Sequence, residues 1–298
     1  MEKPRLHGEP GLTELDVMPA VNSVEEWSGK DRGDENFPVG SALISARLRP
    51  HVHAFYDFAR NADDIADSPD LAPDDKIARL DVMQAVLLGE RTTGSPSATG
   101  LRASLAETGV TARHSLDLLV AFRRDARKIR YADWDELLDY CRFSAMPVGR
   151  HVLALHGESE ATWLASDALC AALQVLNHLQ DGQKDLLALD RCYLPLDLLA
   201  RHGGAVEQLR GTAETPGLRA VFSALLDHCD ALNATAAALP PGVRDRRLRL
   251  ETAVIGGLSC RLAARLRRGD PVATRVKLRK SDVAWSLLGA LRSLPGRP

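Results

Sequence analysis

From residue 50 to residue 67 the apolar side chains fall at Val52, Phe55, Ala59, Ala62 and Ala66. Spacings of three and four are the period of a helix with one buried face. The same period recurs along the chain, whereas alternating runs of Val, Ile, Thr and Tyr that would read as strands do not occur. Helical patterns cover 40–47, 50–67, 73–89, 98–108, 113–129, 133–156, 160–182, 194–201, 205–211, 216–238, 245–268 and 280–292. Turn-forming stretches separate them, among them SPDLAPD at 68–74, GERTTGSPSATG at 89–100 and LPPG at 239–242. None is long enough to join two domains. The expectation is an all-α fold of about a dozen helices in one domain over 36–298, behind a polar, Gly- and Pro-spotted arm over 1–35.

Two of these helices carry a second stripe. Beside the apolar positions of the first run Tyr56, Arg60, Asp63 and Asp67, spaced four, three and four. Such positions lie about 100° from the buried stripe and point at a cavity wall more often than at open solvent. In LCAALQVLNHLQDGQKDLLALDRCYLP, residues 169–195, Leu169, Leu173 and Leu176 face inward, and Gln174, Asn177, Asp181 and Asp185 run beside them. Carboxylates four apart with no cation between them repel, at a cost to a helix of a few tenths of a kcal/mol. A lone pair of this kind usually marks a solvated face. Two pairs, each flanking a greasy stripe and each with amide, Tyr or Arg neighbours, point to a shared site. Mg²⁺ takes oxygen ligands and commonly combines one or two carboxylates with waters and substrate phosphates. Asn177 adds a neutral oxygen, and Arg60 a charge-assisted donor to phosphate.

The totals exclude other classes. With 298 residues, 45% of them hydrophobic and 26% charged, the chain has the composition of a globular protein. A net charge of −2 gives no bulk attraction to nucleic acid. The N-terminus has no apolar signal core, and no apolar run approaches the ~20 residues that span a bilayer. A cytoplasmic, at most membrane-peripheral, protein is expected. Cys141, Cys170, Cys192, Cys229 and Cys260 are odd in number and irregularly spaced, which favours buried free thiols in a reducing compartment.

YDFARNADDIAD (56–67) resembles the first aspartate-rich motif of the squalene/phytoene synthases, and QVLNHLQDGQKD followed by RCYLP resembles the second. RYADWDELLDYCRFSAMPVG (130–149) and RRGDPVATRVKL (267–278) resemble the central and C-terminal segments. The four occur in the family's order. ENFPVGS (35–41) and the NHLQDxxKD form of the second motif look most like the branch that makes hydroxysqualene in the bacterial hopanoid pathway. The resemblance implies the all-α isoprenoid synthase fold around a central apolar cavity. It implies Mg²⁺ bound by Asp63, Asp67, Asn177, Asp181 and Asp185. It implies a prenyl diphosphate lipid as substrate, held by Tyr56, Arg60 and Gln174, with Lys184, Arg191 and Arg275 adding positive charge.

The departures have a direction. Gln180 and Lys184 stand where the family usually has Arg and Glu, and Phe143 stands where squalene synthases place a tyrosine in their YVAG segment. They suggest an enzyme for half of the squalene sequence, from presqualene diphosphate and water to hydroxysqualene, with no nicotinamide. The alternatives are a head-to-head prenyl transferase acting on farnesyl or geranylgeranyl diphosphate, and a non-catalytic helical scaffold. Contact with a membrane or with other squalene-pathway enzymes is a further expectation.

The remaining candidates read blandly. His51 and His53 are taken as cavity-wall or surface residues and His178 as a packing residue. AFRRDARKIRY (121–131) reads as a solvated, ion-paired face, with Arg127 or Arg130 the ones that would reach a site mouth. Tyr140 is equally a core or a cavity residue. The last helix presents Val283, Leu287, Ala290 and Leu294 on one face, to pack on the domain or to touch a bilayer.

Overall fold

Pro50 in its first turn and the Ser-Pro after its end bound the first helix, α1 (Arg49–Asp67), in the computed structural model, which describes residues 23–25 and 43–293. It is followed by α2 (Pro73–Leu88), α3 (Pro96–Thr108), α4 (Arg113–Asp125), α5 (Trp134–Ser144), α6 (Met146–Leu155) and α7 (Trp163–Leu189). Then come α8 (Leu196–Arg201), α9 (Pro216–Ala236), α10 (Leu239–Gly242), α11 (Arg246–Leu266) and α12 (Lys280–Ser293), with short 3₁₀ turns at Glu160–Thr162 and Val206–Arg210. The expected all-α class is observed, with no strand among the described residues. ENFPVGS and Leu294 lie outside the described residues. Within the expected arm, residues 23–25 dock on the body. Val24 N–H donates to Gly94 O at 2.8 Å, and the Glu25 carboxylate accepts from Ser97 N–H at 3.0 Å at the start of α3.

Local chemistry sets the helix ends. Asp133 accepts from Glu136 N–H and Asp245 from Leu248 N–H, both at 2.9 Å, while Gly89 and Gly109 close α2 and α3 with positive φ. Three sequence expectations fail for identifiable reasons. Residues 43–48 form turns rather than a helix over 40–47. The single helix expected over 133–156 breaks at Ala145 (φ −122°), because Pro147 has no N–H to continue it. The helix expected over 160–182 continues to Leu189, which keeps both Asp181 and Asp185 helical.

One apolar core joins α1 to α4 around Phe58, Leu80, Met83 and Leu118; a second centres on α7 and α9 around Leu176, Leu225 and Leu226. Between the first of these and a third cluster around Leu153, Leu169 and Leu248 lies a cavity of about 400 Å³ walled by α1, α6, α7 and α11. Close approach of α6 to α7 requires Gly149, where a Cβ would sit 2.4 Å from Ser166 Oγ and 2.7 Å from Cys170 Sγ. His151 of α6 is fully buried, stacks on Phe55 with ring centroids 3.8 Å apart, and offers two ring nitrogens that no described residue meets.

Burial pushes the pKa of His151 down to about 3, against 6.5 in the unfolded chain. The native state therefore refuses a proton that the unfolded state accepts. Stability from this site is intact above 6.5 and is lost as pH falls towards 3, at about 1.4 kcal/mol per pH unit. His151→Phe keeps the stack on Phe55 and removes the titration. Urea unfolding at about pH 5 is expected to show the variant some 2 kcal/mol less acid-sensitive than the parent, relative to each protein at about pH 7.5. Parallel pH–stability curves for the two proteins would refute the assignment.

Candidate active site

The cavity is lined mainly by apolar groups, including Val52, Phe55, Val148, Leu169, Leu173, Leu248 and Ile255. Tyr56 and Ala59 of α1 and Gln174 and Asn177 of α7 also line it, so the two polar stripes open onto the same space. One turn further along each helix stand Asp63 and Asp181. Glu251 is the sole carboxylate among the lining residues and is 4% exposed; Thr252 and Ser166 line the same cavity. Cys170 lines the cavity as well, its thiol pushed up to about 11 by burial, which keeps it protonated and inert.

Beyond the amide residues the carboxylates gather. Arg191, just past α7, crosses to α1 and donates from Nη1 to Asp67 Oδ1 at 2.8 Å. Arg275 meets Asp181 with Nε–Oδ1 at 2.7 Å and Nη2–Oδ2 at 2.8 Å. Arg60 pairs with Asp63 at 3.0 Å and with Asp64 on its own helix. The repulsion expected along each stripe is thus met in part by three guanidiniums. The remainder shows in the acidities. Burial, then Asp181, then Asp67 push Asp185 up to about 7. Burial and Asp67 raise Asp63 above the carboxylate range, against the pull of Arg60. Asp185 of α7 and Asp67 of α1 therefore lie within each other's field.

This donor set fits Mg²⁺. It is all oxygen, it is crowded enough that two members resist ionisation, and additional positive charge would relieve it. Among the described residues no three His, Cys, Asp or Glu side chains converge as a cage for one ion. Two separate pairs of carboxylates suit an ion that completes its shell with water and substrate phosphate.

A family model described as squalene/phytoene synthase matches residues 30–282. The chain belongs to the squalene/phytoene synthase family. A relative from Rhodopseudomonas palustris named hydroxysqualene synthase is 47% identical over 273 residues, covering 92% of this chain and 93% of that one. One of the same name from Sinorhizobium fredii is 45% identical over 264 residues, covering 89% and 90%. The crystal structure of a squalene synthase from Alicyclobacillus acidocaldarius superposes with a TM-score of 0.69 at 34% identity, covering 77% of this chain and 87% of that one.

Within this member of the family the other candidates fall as follows. Lys184 is exposed and acts on the site through the field it places on Asp185. Gln180 is buried and donates to Val276 O at 2.6 Å, tying α7 to the segment that carries Arg275. Phe143 is not on the cavity wall; it packs beneath the Arg124 guanidinium, 4.5 Å from its ring centroid, while its neighbours Ser144 and Ala145 line the cavity. His51 bonds Ser104 Oγ at 2.9 Å, and neither it nor His53 lines the cavity. Arg127 and Arg130 pair with Asp74 and Asp190 on the protein exterior. Tyr140 is a core residue, donating to Asp125 Oδ2 at 2.7 Å. His178 is buried, stacked on Tyr193 and 3.2 Å from Gln174 Nε2. Cys260 is exposed, against the expectation of buried thiols throughout.

Two groups escaped the sequence reading. Asp125 of α4 is buried between Tyr140 and Arg191, and its carboxyl is pushed up to about 7 by burial. Its signal was present, since it continues the apolar stripe Leu118, Ala121, Phe122. Glu251 likewise sits in the stripe Leu248, Thr252, Ile255 of α11, an acid where a hydrophobe belongs.

Proposed function

We propose that this protein converts presqualene diphosphate and water to hydroxysqualene and diphosphate, with Mg²⁺. The observation that carries this is an apolar chamber holding one buried carboxylate, Glu251, with Ala59 and Asn177 on its wall, each one helical turn before the first aspartate of a pair. The relatives named hydroxysqualene synthase, matched over about nine-tenths of the chain, support the same reading.

Asp63, Asp67, Asp181 and Asp185, with the Asn177 side-chain oxygen, are the groups assigned to Mg²⁺, which supplies Lewis-acid charge neutralisation at the leaving group. Arg60 and Arg275 present guanidiniums to diphosphate oxygens, and Tyr56 and Gln174 orient its attachment point. The C–O bond to diphosphate breaks and its electron pair leaves with the diphosphate. The cyclopropylcarbinyl cation rearranges among Phe55, Leu173 and Leu248, where few nucleophiles reach it. Glu251, the one carboxylate on the cavity wall, holds the single water that attacks. The water oxygen forms the new C–O bond and Glu251 takes its proton. No electrons are gained or lost, so no nicotinamide is required.

Incubation with presqualene diphosphate and Mg²⁺ without NADPH is expected to give hydroxysqualene, and incubation with farnesyl diphosphate no presqualene diphosphate. Turnover of farnesyl diphosphate to presqualene diphosphate would favour the head-to-head transferase instead. In Glu251→Gln the rate of alcohol formation is expected to fall by about 10²-fold, with hydrocarbon products appearing in its place.

A further inference from the structure

The last helix is turned with its polar side inward. Asp282, Ser286 and Ala290, each four residues apart, face α11 and are buried. Asp282 accepts from Arg265 Nε at 2.7 Å, and Ser286 lies so close to Gly257 that a Cβ there would meet its Oγ at 3.0 Å. The face of Val283, Leu287 and Ala290, expected to pack on the domain or to touch a bilayer, is therefore divided: Ala290 packs on α11 and the other two stay exposed. The outward arc carries Trp285 (56% exposed), Leu291 (49%), Val283 (48%), Leu288 (44%) and Leu287 (38%). Five large apolar side chains on one exposed helix form a contiguous patch of the kind that marks an interaction surface.

The charge around the patch has one sign. Lys277, Arg279, Lys280 and Arg292 are exposed beside it, and Asp282, already held by Arg265, is the only acid between residues 271 and 293. Between the end of α11 and the segment 274–279 runs a groove of about 720 Å³ lined by Arg261, Arg268, Lys277 and Arg279. An apolar arc with flanking cations is the pattern of a helix lying in a bilayer interface, its hydrophobes among acyl chains and its cations on anionic headgroups. No described helix is long and apolar enough to cross a membrane.

We propose that α12 and the basic segment before it are the surface by which this protein sits on an anionic lipid bilayer. A second copy of the chain fits less well, since a two-fold contact would bring the same row of cations face to face. The opposite side of α11 contributes Leu248, Glu251, Thr252 and Ile255 to the cavity, so the docked face lies one helix away from the chamber. The proposal does not depend on which reaction the chamber performs.

Flotation of the full chain with vesicles tests it directly. Binding is expected to vesicles of phosphatidylcholine containing about one-third phosphatidylglycerol, with little binding to phosphatidylcholine alone and a marked loss in high salt. Leu288→Ser combined with Leu291→Ser is expected to weaken binding by about tenfold or more with little change in melting temperature, because both residues are exposed and outside the packed face of α12. Lys280→Glu combined with Arg292→Glu is expected to abolish the preference for anionic vesicles. Equal binding by parent and variants overturns the proposal. So does absence of vesicle binding accompanied by a dimer in sedimentation that the Leu288 and Leu291 variant dissolves.

Discussion

Asp181→Asn is expected to lower turnover of presqualene diphosphate by about 10²–10³-fold while leaving the fold intact. The range is that for removing one preorganised group that stabilises developing charge. Asparagine keeps the shape of the side chain and one oxygen but removes the negative charge. Its present partner, Arg275, is on an exposed segment and can be solvated when the carboxylate is gone. The same change removes one of the fields that raise Asp185, so Asp185 ionises more readily, and this partial compensation keeps the loss short of complete. If the aspartates hold Mg²⁺ against the departing diphosphate, the variant needs a higher Mg²⁺ concentration for half-maximal rate and still falls short at saturation. Steady-state diphosphate release across a Mg²⁺ titration reads both quantities. A rate within about threefold of the parent at saturating Mg²⁺ would remove Asp181 from the catalytic set and revive the scaffold reading.

What the sequence made legible divides along a physical line. The two acidic stripes could be read because each is local: positions three and four apart on one helix share a face whatever the rest of the chain does. The paired stripes point to a shared site and the family resemblance assigns Asp63, Asp67, Asp181 and Asp185 to Mg²⁺; the structure adds Arg191 as a link between the helices. The buried network of Asp125, Tyr140, Tyr193 and Arg191 joins residues from α4, α5 and the turn after α7, and no periodicity reports contacts of that range. The facing of α12 was legible only in part for the same reason. A helical wheel groups Val283, Leu287 and Ala290 on one face and leaves open whether it meets the domain or a bilayer. Arg265 of α11 draws Asp282 inward, so that Ala290 packs and the other two stay exposed. Glu251 and Asp125 show the reverse case. Each interrupts an apolar stripe, and an acid at a core position is a local signal that invites a functional reading.

Arg191→Met is expected to be the most destabilising single change at the site. Arg191 is 5% exposed and donates to Asp67 at 2.8 Å and to the backbone oxygen of Asp125 at 3.0 Å. Its Nε stands 3.9 Å from the Asp125 carboxylate, and its Nη1 3.3 Å from Tyr193 Oη. Methionine fills much of the same volume but leaves the buried Asp125 carboxyl with the hydroxyls of Tyr140, at 2.7 Å, and Tyr193, and without its guanidinium. Breaking a buried ion pair by removing one partner costs about 3–5 kcal/mol, and Asp125, raised to about 7 even beside Arg191, must take up a proton in the variant. For a chain of this size that corresponds to a fall in melting temperature of roughly 5–8 °C. The control is Arg275→Met, which removes the other guanidinium bridging to a motif aspartate. Arg275 is exposed, so its pair with Asp181 is screened and its loss costs at most about 1 kcal/mol. Thermal unfolding of the two variants beside the parent therefore separates a cation that holds the helices together from one assigned to the substrate. Equal small shifts for both would mean that the contact between α1 and the turn after α7 is carried by something other than Arg191.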